Sequence, residues 1–123
     1  MGVTSPRIQF VVHKGKRILV VDFLRCSAAE VGEVARAVPE VVTNLPRESA
    51  LILSDYTGTS LDHEAMRVLK ESAVFDKPYV RKSAWIGTEN LPQVFADAMK
   101  NFSRREFPAF KTRQEALDWL AAD

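Results

Sequence analysis

One cysteine, Cys26, stands among 123 residues, so no internal disulfide can form, which fits a reducing, cytoplasmic setting. No apolar run approaches the roughly 20 residues that cross a bilayer, and no stable membrane anchoring is expected. Residues 1–7, Met-Gly-Val-Thr-Ser-Pro-Arg, hold no apolar segment and are not expected to direct secretion. Proline at position six also argues against reading Met-Gly as a myristoylation signal. There is no Gly-x-Ser-x-Gly elbow, no phosphate-binding glycine loop and no dinucleotide fingerprint. His63-Glu64 is not followed by a second histidine at zincin spacing, so no metal and no cofactor is expected.

What is present describes a folding chain. Hydrophobic residues make up 46% and charged residues 27%, which separates it from a disordered segment. The length suits one domain, residues 1–123, with a core that needs no staples. A net charge of +1 conceals an uneven distribution. Residues 1–26 hold five basic residues against one acidic, and residues 27–76 hold four against nine. Residues 77–113 hold eight against three. Opposite segments packing side by side explain this pattern most simply. A sharper reading is an anion surface built from Lys77, Arg81, Lys82, Lys100, Arg104 and Arg105. Nucleic acid is not expected, because no basic stripe is interleaved with exposed aromatics.

The chain is organised around Leu51-Ile52-Leu53-Ser54-Asp55-Tyr56-Thr57-Gly58, followed by Thr59-Ser60-Leu61-Asp62. An apolar run ends in an acidic residue, a hydroxyl-rich turn and a helix start. Ligands and partners of α/β proteins gather at such strand mouths. Before it, residues 8–13 alternate with Ile8, Phe10 and Val12 on one face, and Gly15 supplies a turn. Residues 18–23 form a continuous apolar run, read as a strand buried on both faces. Ser27 and Glu30 form a capping box for a helix carrying Val31, Val34, Ala35, Val38 and Val42, in which Pro39 predicts a kink or a division.

Beyond the turn, Ser60 or Asp62 caps a helix with Leu61, Ala65, Leu69 and Ala73 facing inward. Asp76-Lys77-Pro78 breaks it, and residues 79–86 form a strand ending at Gly87. Pro92 opens a third helix with an apolar stripe of Leu91, Val94, Phe95, Ala98, Met99 and Phe102. Residues 107–110 suit an edge strand, since Pro108 lies within them. Thr112 and Glu115 open a last helix. The order is ββαβαβαβα, an α/β sheet with packed helices.

The ordered set of segments resembles a known fold family. Gly15-Lys16-Arg17-Ile18-Leu19-Val20-Val21-Asp22, the 51–58 stretch, Lys77 through Gly87 and Phe110 through Leu120 are similar to the STAS domain of anti-sigma-factor antagonists. They are most similar to the bacterial SpoIIAA-like, or STAS/SEC14-like, proteins. The resemblance implies a five-stranded mixed sheet with about four helices. It also implies a non-enzymatic module that works through a protein partner. In anti-sigma-factor antagonists an Asp-Ser-Ser-Gly-like turn is phosphorylated to switch binding. Here Tyr56 stands where that serine would be, while Thr57, Thr59 and Ser60 remain as hydroxyls at a helix start.

Two functional readings follow. The first is a regulatory interaction module contacting a protein through Ser54, Asp55, Tyr56, Thr57, Gly58, Thr59, Ser60 and Asp62. The second is a carrier for a small anionic or lipid ligand of SEC14-like type, using Arg81, Lys82, Phe95, Met99 and Phe102. Apolar residues exposed on the third helix would instead serve a homodimer. An open apolar cavity of a few hundred Å3 would favour the carrier. Catalysis has the least support: Cys26 is read as a small buried hydrophobe, and paired carboxylates such as Asp55 and Asp62 as helix-cap chemistry.

Overall fold

The computed structural model describes residues 6–122. Residues 1–5, expected to carry no leader, lie outside them. The strands are β1 (Ile8–His13), β2 (Lys16–Asp22), β3 (Ala50–Asp55), β4 (Val80–Ile86) and β5 (Ala109–Phe110). The helices are α1 (Ala28–Val42), α2 (His63–Asp76), α3 (Gln93–Ser103) and α4 (Arg113–Ala121). The sheet runs β1-β2-β3-β4-β5, with β1 antiparallel to β2 and the remaining neighbours parallel.

This order dictates the layers. The three parallel crossovers all step in one direction, and right-handed connections then place α1, α2 and α3 on one face. A core forms there from Leu19, Val21, Ile52 and Trp85 of the sheet with Val31, Ala65, Leu69 and Phe95 of the helices. α4 folds back onto the other face, where Ala116 and Leu120 meet Ile18, Val20, Leu53 and Ala84. β2 and β3 are thus covered on both sides, as their unbroken apolar runs require. Among the described residues no helix is long and apolar enough to cross a membrane.

Local signals account for the helix starts. Ser27 accepts from Glu30 N, while the Glu30 carboxylate accepts from Ser27 N, a complete capping box. Asp62, rather than Ser60, caps α2 by accepting from Ala65 N at 2.7 Å. Thr112 accepts from Glu115 N, and its hydroxyl donates to the Glu115 carboxylate.

Four expectations need correction. α1 is one unbroken helix through Pro39. Proline has no N–H for the carbonyl four residues back, Ala35, and Ser72 Oγ of α2 donates to that carbonyl instead, at 3.0 Å. Of Ile8, Phe10 and Val12 on β1, only Ile8 reaches the core, while Val11 packs on the opposite face. Val12 is 72% exposed and Phe10 lies at the surface under the Arg17 guanidinium, because β1 is the sheet's edge. On α3 the buried line is Phe95, Met99 and Ser103, with Val94 65% and Phe102 55% exposed. That spacing of four leaves a single narrow seam against α2 and the sheet, and the flanking apolar residues fall outside it. Finally, β5 is two residues long, and β4 begins after a 3-10 turn at Lys77–Tyr79.

Candidate functional site

At the carboxyl ends of β2 and β3, Asp22 and Asp55 are register partners, and each turns the chain in the same way. Asp22 Oδ1 accepts from Leu24 N at 2.8 Å, and Asp55 Oδ1 accepts from Thr57 N at 2.9 Å. A carboxylate bonding two residues onward fixes a tight turn. The three loops at this end are then tied to one another. Phe23 N donates to Asp55 O, Arg25 N to Thr57 O, Tyr56 N to Ile86 O and Ser60 N to Cys26 O, all at 2.8–2.9 Å. Gly87, at φ +70°, closes the surface: a Cβ there would lie 2.2 Å from Thr57 Oγ1 and 2.5 Å from Thr57 N. Only glycine allows this approach.

Within the turn, successive residues take different environments. Ser54 is half-buried on the helical side of the sheet, where it lines the seam cavity. Asp55 is buried, its second oxygen 3.7 Å from Arg113 of α4. Tyr56 is not part of the turn's surface. It is 3% exposed, stacked on Phe23 at 5.0 Å and edge-on to Trp85 and Phe95. Burial pushes its phenol well above the ordinary range, against a smaller pull from Arg105. Thr57, Gly58 and Ser60 are exposed and Thr59 half-buried. The hydroxyl of Thr57 donates to Asp55 Oδ1 and that of Thr59 to Phe23 O, both at 2.7 Å. Ser60 alone of the three keeps its hydroxyl unbonded among the described residues.

The carrier residues do not come together. Phe95 and Met99 are buried in the core, whereas Phe102 lies outside with the Lys70 ammonium over its ring. Lys82 binds the carbonyls of Trp119 and Ala122 at the carboxyl end of α4, a cation placed at the negative end of the helix dipole. Arg81 lies at the foot of β4, beside an open groove of about 780 Å3 that Arg47, Lys77 and Arg105 also line. Lys100 pairs with Glu106 at 3.5 Å, and Arg104 caps α3 with left-handed backbone. The cavity that Met99 lines is about 50 Å3, far short of a lipid's volume, and the groove of about 490 Å3 beside α3 is lined by none of the five carrier residues. Elsewhere, burial pushes the Cys26 thiol up, and His13 is bonded to Asp118 at 2.7 Å. Among the described residues no cluster of three or more metal-ligand side chains forms.

Leu24 and Arg25, which follow β2, share this surface; Gly58 sits against the Arg25 side chain. Reading strand by strand missed them, together with Gly87 and Arg113. Their signal is indirect: Asp22 repeats the role of Asp55 in a neighbouring strand.

No protein-family model matches the chain, and no curated protein matches it. Solved structures do. One is an uncharacterized protein of the DUF3478 family with a SpoIIAA-like fold from Shewanella loihica PV-4. It is 19% identical with a TM-score of 0.70, covering 98% of this chain and 100% of the other. The fold is SpoIIAA-like. An anti-sigma-factor antagonist (STAS) domain protein from Planctomyces limnophilus is 16% identical with a TM-score of 0.60. That match covers 94% of this chain and 98% of its own. At these identities the likeness concerns the SpoIIAA-like fold alone, and function must be argued from the site.

Proposed function

We propose that this chain is a non-enzymatic regulatory module that binds a protein partner through the surface formed by residues 57–62 and the adjoining Leu24 and Arg25, with Ser54, Asp55 and Tyr56 beneath it. One observation carries the reading. The strand mouth is internally bonded. Asp55 Oδ1 and the Thr57 and Thr59 hydroxyls are bonded within the loops, Asp55 Oδ2 faces Arg113, and the residues from Thr57 to Asp62 line neither the seam cavity nor the groove beside Arg81. Catalysis requires a reacting atom held in a cleft between free groups. Partner binding requires a firm surface with a few free side chains. The STAS domain structure from Planctomyces limnophilus is consistent with an interaction role.

Exposed Val74, Phe75, Val94 and Phe102 on α2 and α3 are where a second copy would pack. Light scattering across a concentration series reads that association directly.

The contact surface is tested by capture from the cells that make the protein. Arg25→Glu with Ser60→Arg alters exposed side chains and leaves the loop bonds intact. It is expected to abolish capture of a partner held by the unaltered protein, while Arg81→Glu at the opposite end of β4 does not. Loss with Arg81→Glu and retention with the paired variant would overturn the assignment.

A further inference from the structure

Pro39 sets a requirement that propagates through two helices. The Ala35 carbonyl takes its hydrogen from Ser72 Oγ at 3.0 Å. The same Ser72 oxygen lies 3.2 Å from Asp76 Oδ2, at the last residue of α2. A serine hydroxyl has one hydrogen, so it cannot serve the Ala35 carbonyl and an ionised Asp76 at once. With Asp76 protonated both contacts are satisfied. The acid O–H donates to Ser72 Oγ, and Ser72 donates to Ala35.

Asp76 is itself 4% exposed, and its other oxygen, Oδ1, has no hydrogen-bond partner among the described residues. It borders the cavity of about 50 Å3 between sheet and helices, along with the Tyr56 phenol from the end of β3, Ser83 from β4 and Arg105 from the loop after α3. Arg105 is the cation whose charge acts on Asp76, but its two hydrogen bonds here run to the Ala73 carbonyl and the Ser83 hydroxyl, and none to the carboxylate. α1 presents only the Ala35 carbonyl here, and Lys77, next in the chain, is exposed. Among the described residues the only hydrogen-bonding group that the Asp76 carboxyl meets is the Ser72 hydroxyl, whose one hydrogen the Ala35 carbonyl also claims.

We propose that Asp76 is a buried proton-binding site that latches the helical layer. Protonated, it completes a hydrogen-bond chain from α2 to the proline turn of α1; ionised, it breaks that chain and draws Arg105 off its neutral partners. The direction of its titration agrees. Burial pushes the Asp76 carboxyl up to about 6, against the weaker opposing effect of the Arg105 charge. Because the folded value lies above the unfolded one, the stabilisation is complete below the ordinary carboxylate value and is lost as pH rises through about 6.

Two variants beside the unaltered protein decide the matter. Carboxyl 13C titration of the intact protein should place the Asp76 midpoint near 6. Asp76→Asn, whose amide donates to Ser72 as the acid does, should remove a pH dependence amounting to about a hundredfold change in the unfolding constant between pH 4 and 7.5. Pro39→Ala gives the Ala35 carbonyl a backbone donor and frees the Ser72 hydroxyl for the carboxylate, so the Asp76 midpoint should fall. A midpoint that stays put in folded Pro39→Ala would mean burial without a relay and would overturn the latch, as would an ordinary midpoint in the unaltered chain.

Discussion

Replacing Tyr56 by serine would give the turn the Asp-Ser-Thr-Gly sequence that a phosphorylatable STAS turn resembles. The expected result is a badly destabilised protein. The Tyr56 ring lies 5.0 Å from Phe23 with planes 6° apart, 5.2 Å from Trp85 and 5.8 Å from Phe95. Truncating such a buried aromatic costs about 3–5 kcal/mol in lost transfer energy and residual cavity. Each aromatic pair adds about 0.5–1.5 kcal/mol beyond the area buried, and a serine hydroxyl set among Phe23, Trp85 and Phe95 would lack a ready partner. At least about 5 kcal/mol is therefore expected, a large part of a small domain's total stability. Tyr56→Phe keeps the ring and should cost less than about 1 kcal/mol, since no hydrogen bond of the phenol is lost. Guanidinium denaturation at constant m-value measures both. A loss below about 1 kcal/mol for Tyr56→Ser, or equal losses for the two variants, would refute the claim that the ring is what the site needs.

Two further substitutions probe the same end of the sheet and its first helix. Gly87→Ala must accommodate a Cβ 2.5 Å from backbone N of Thr57 at φ +70°. It should cost at least about 2 kcal/mol and weaken partner binding, whereas Gly15→Ala, at φ +79° with open space around it, should cost only about 1 kcal/mol. Ser27→Ala should lose about 1 kcal/mol by thermal denaturation at neutral pH. Its effect should shrink in acid: the Ser27 backbone N–H holds the Glu30 carboxyl below its ordinary range, so the box is present above that range and lost as pH falls through it.

Much of the fold was legible because the deciding signals are local. The unbroken run of β2, the Ser27–Glu30 box and the Asp62 cap each depend on residues within a few positions of one another. The errors arose where a distant neighbour decides. Tyr56 follows the last residue of β3, where the pattern alone suggests a surface turn. Phe23, Trp85 and Phe95, from three other elements, take it inward. Pro39 looks like a helix breaker until a serine 33 positions later supplies the missing donor. The apolar stripe of α3 is wider than its buried seam, since the number of apolar residues on a helix does not say how much of its circumference a partner covers. Within the candidate site, Asp55 and its hydroxyl neighbours were visible as a strand mouth. Arg25 was not, because only the register of β2 against β3 brings it beside Gly58.

The bonding at that mouth bears on how it would recognise a partner. Ordering loops upon association has an entropic cost that subtracts from affinity. Here the bonds of Phe23, Arg25, Tyr56 and Ser60 across three loops, together with the Gly87 contact, have already ordered them. A partner would therefore meet a surface whose backbone need not move, the usual behaviour of pre-organised interfaces. Its discrimination would rest on the side chains that the loops do not consume: Leu24, Arg25 and the hydroxyl of Ser60. Thr57 and Thr59 hold their hydrogens inward, and Tyr56 is closed off by the core. A negative charge added at Ser60 would sit two residues before the Asp62 cap, at the positive end of α2. The turn can thus change its charge there without giving up any bond that shapes it.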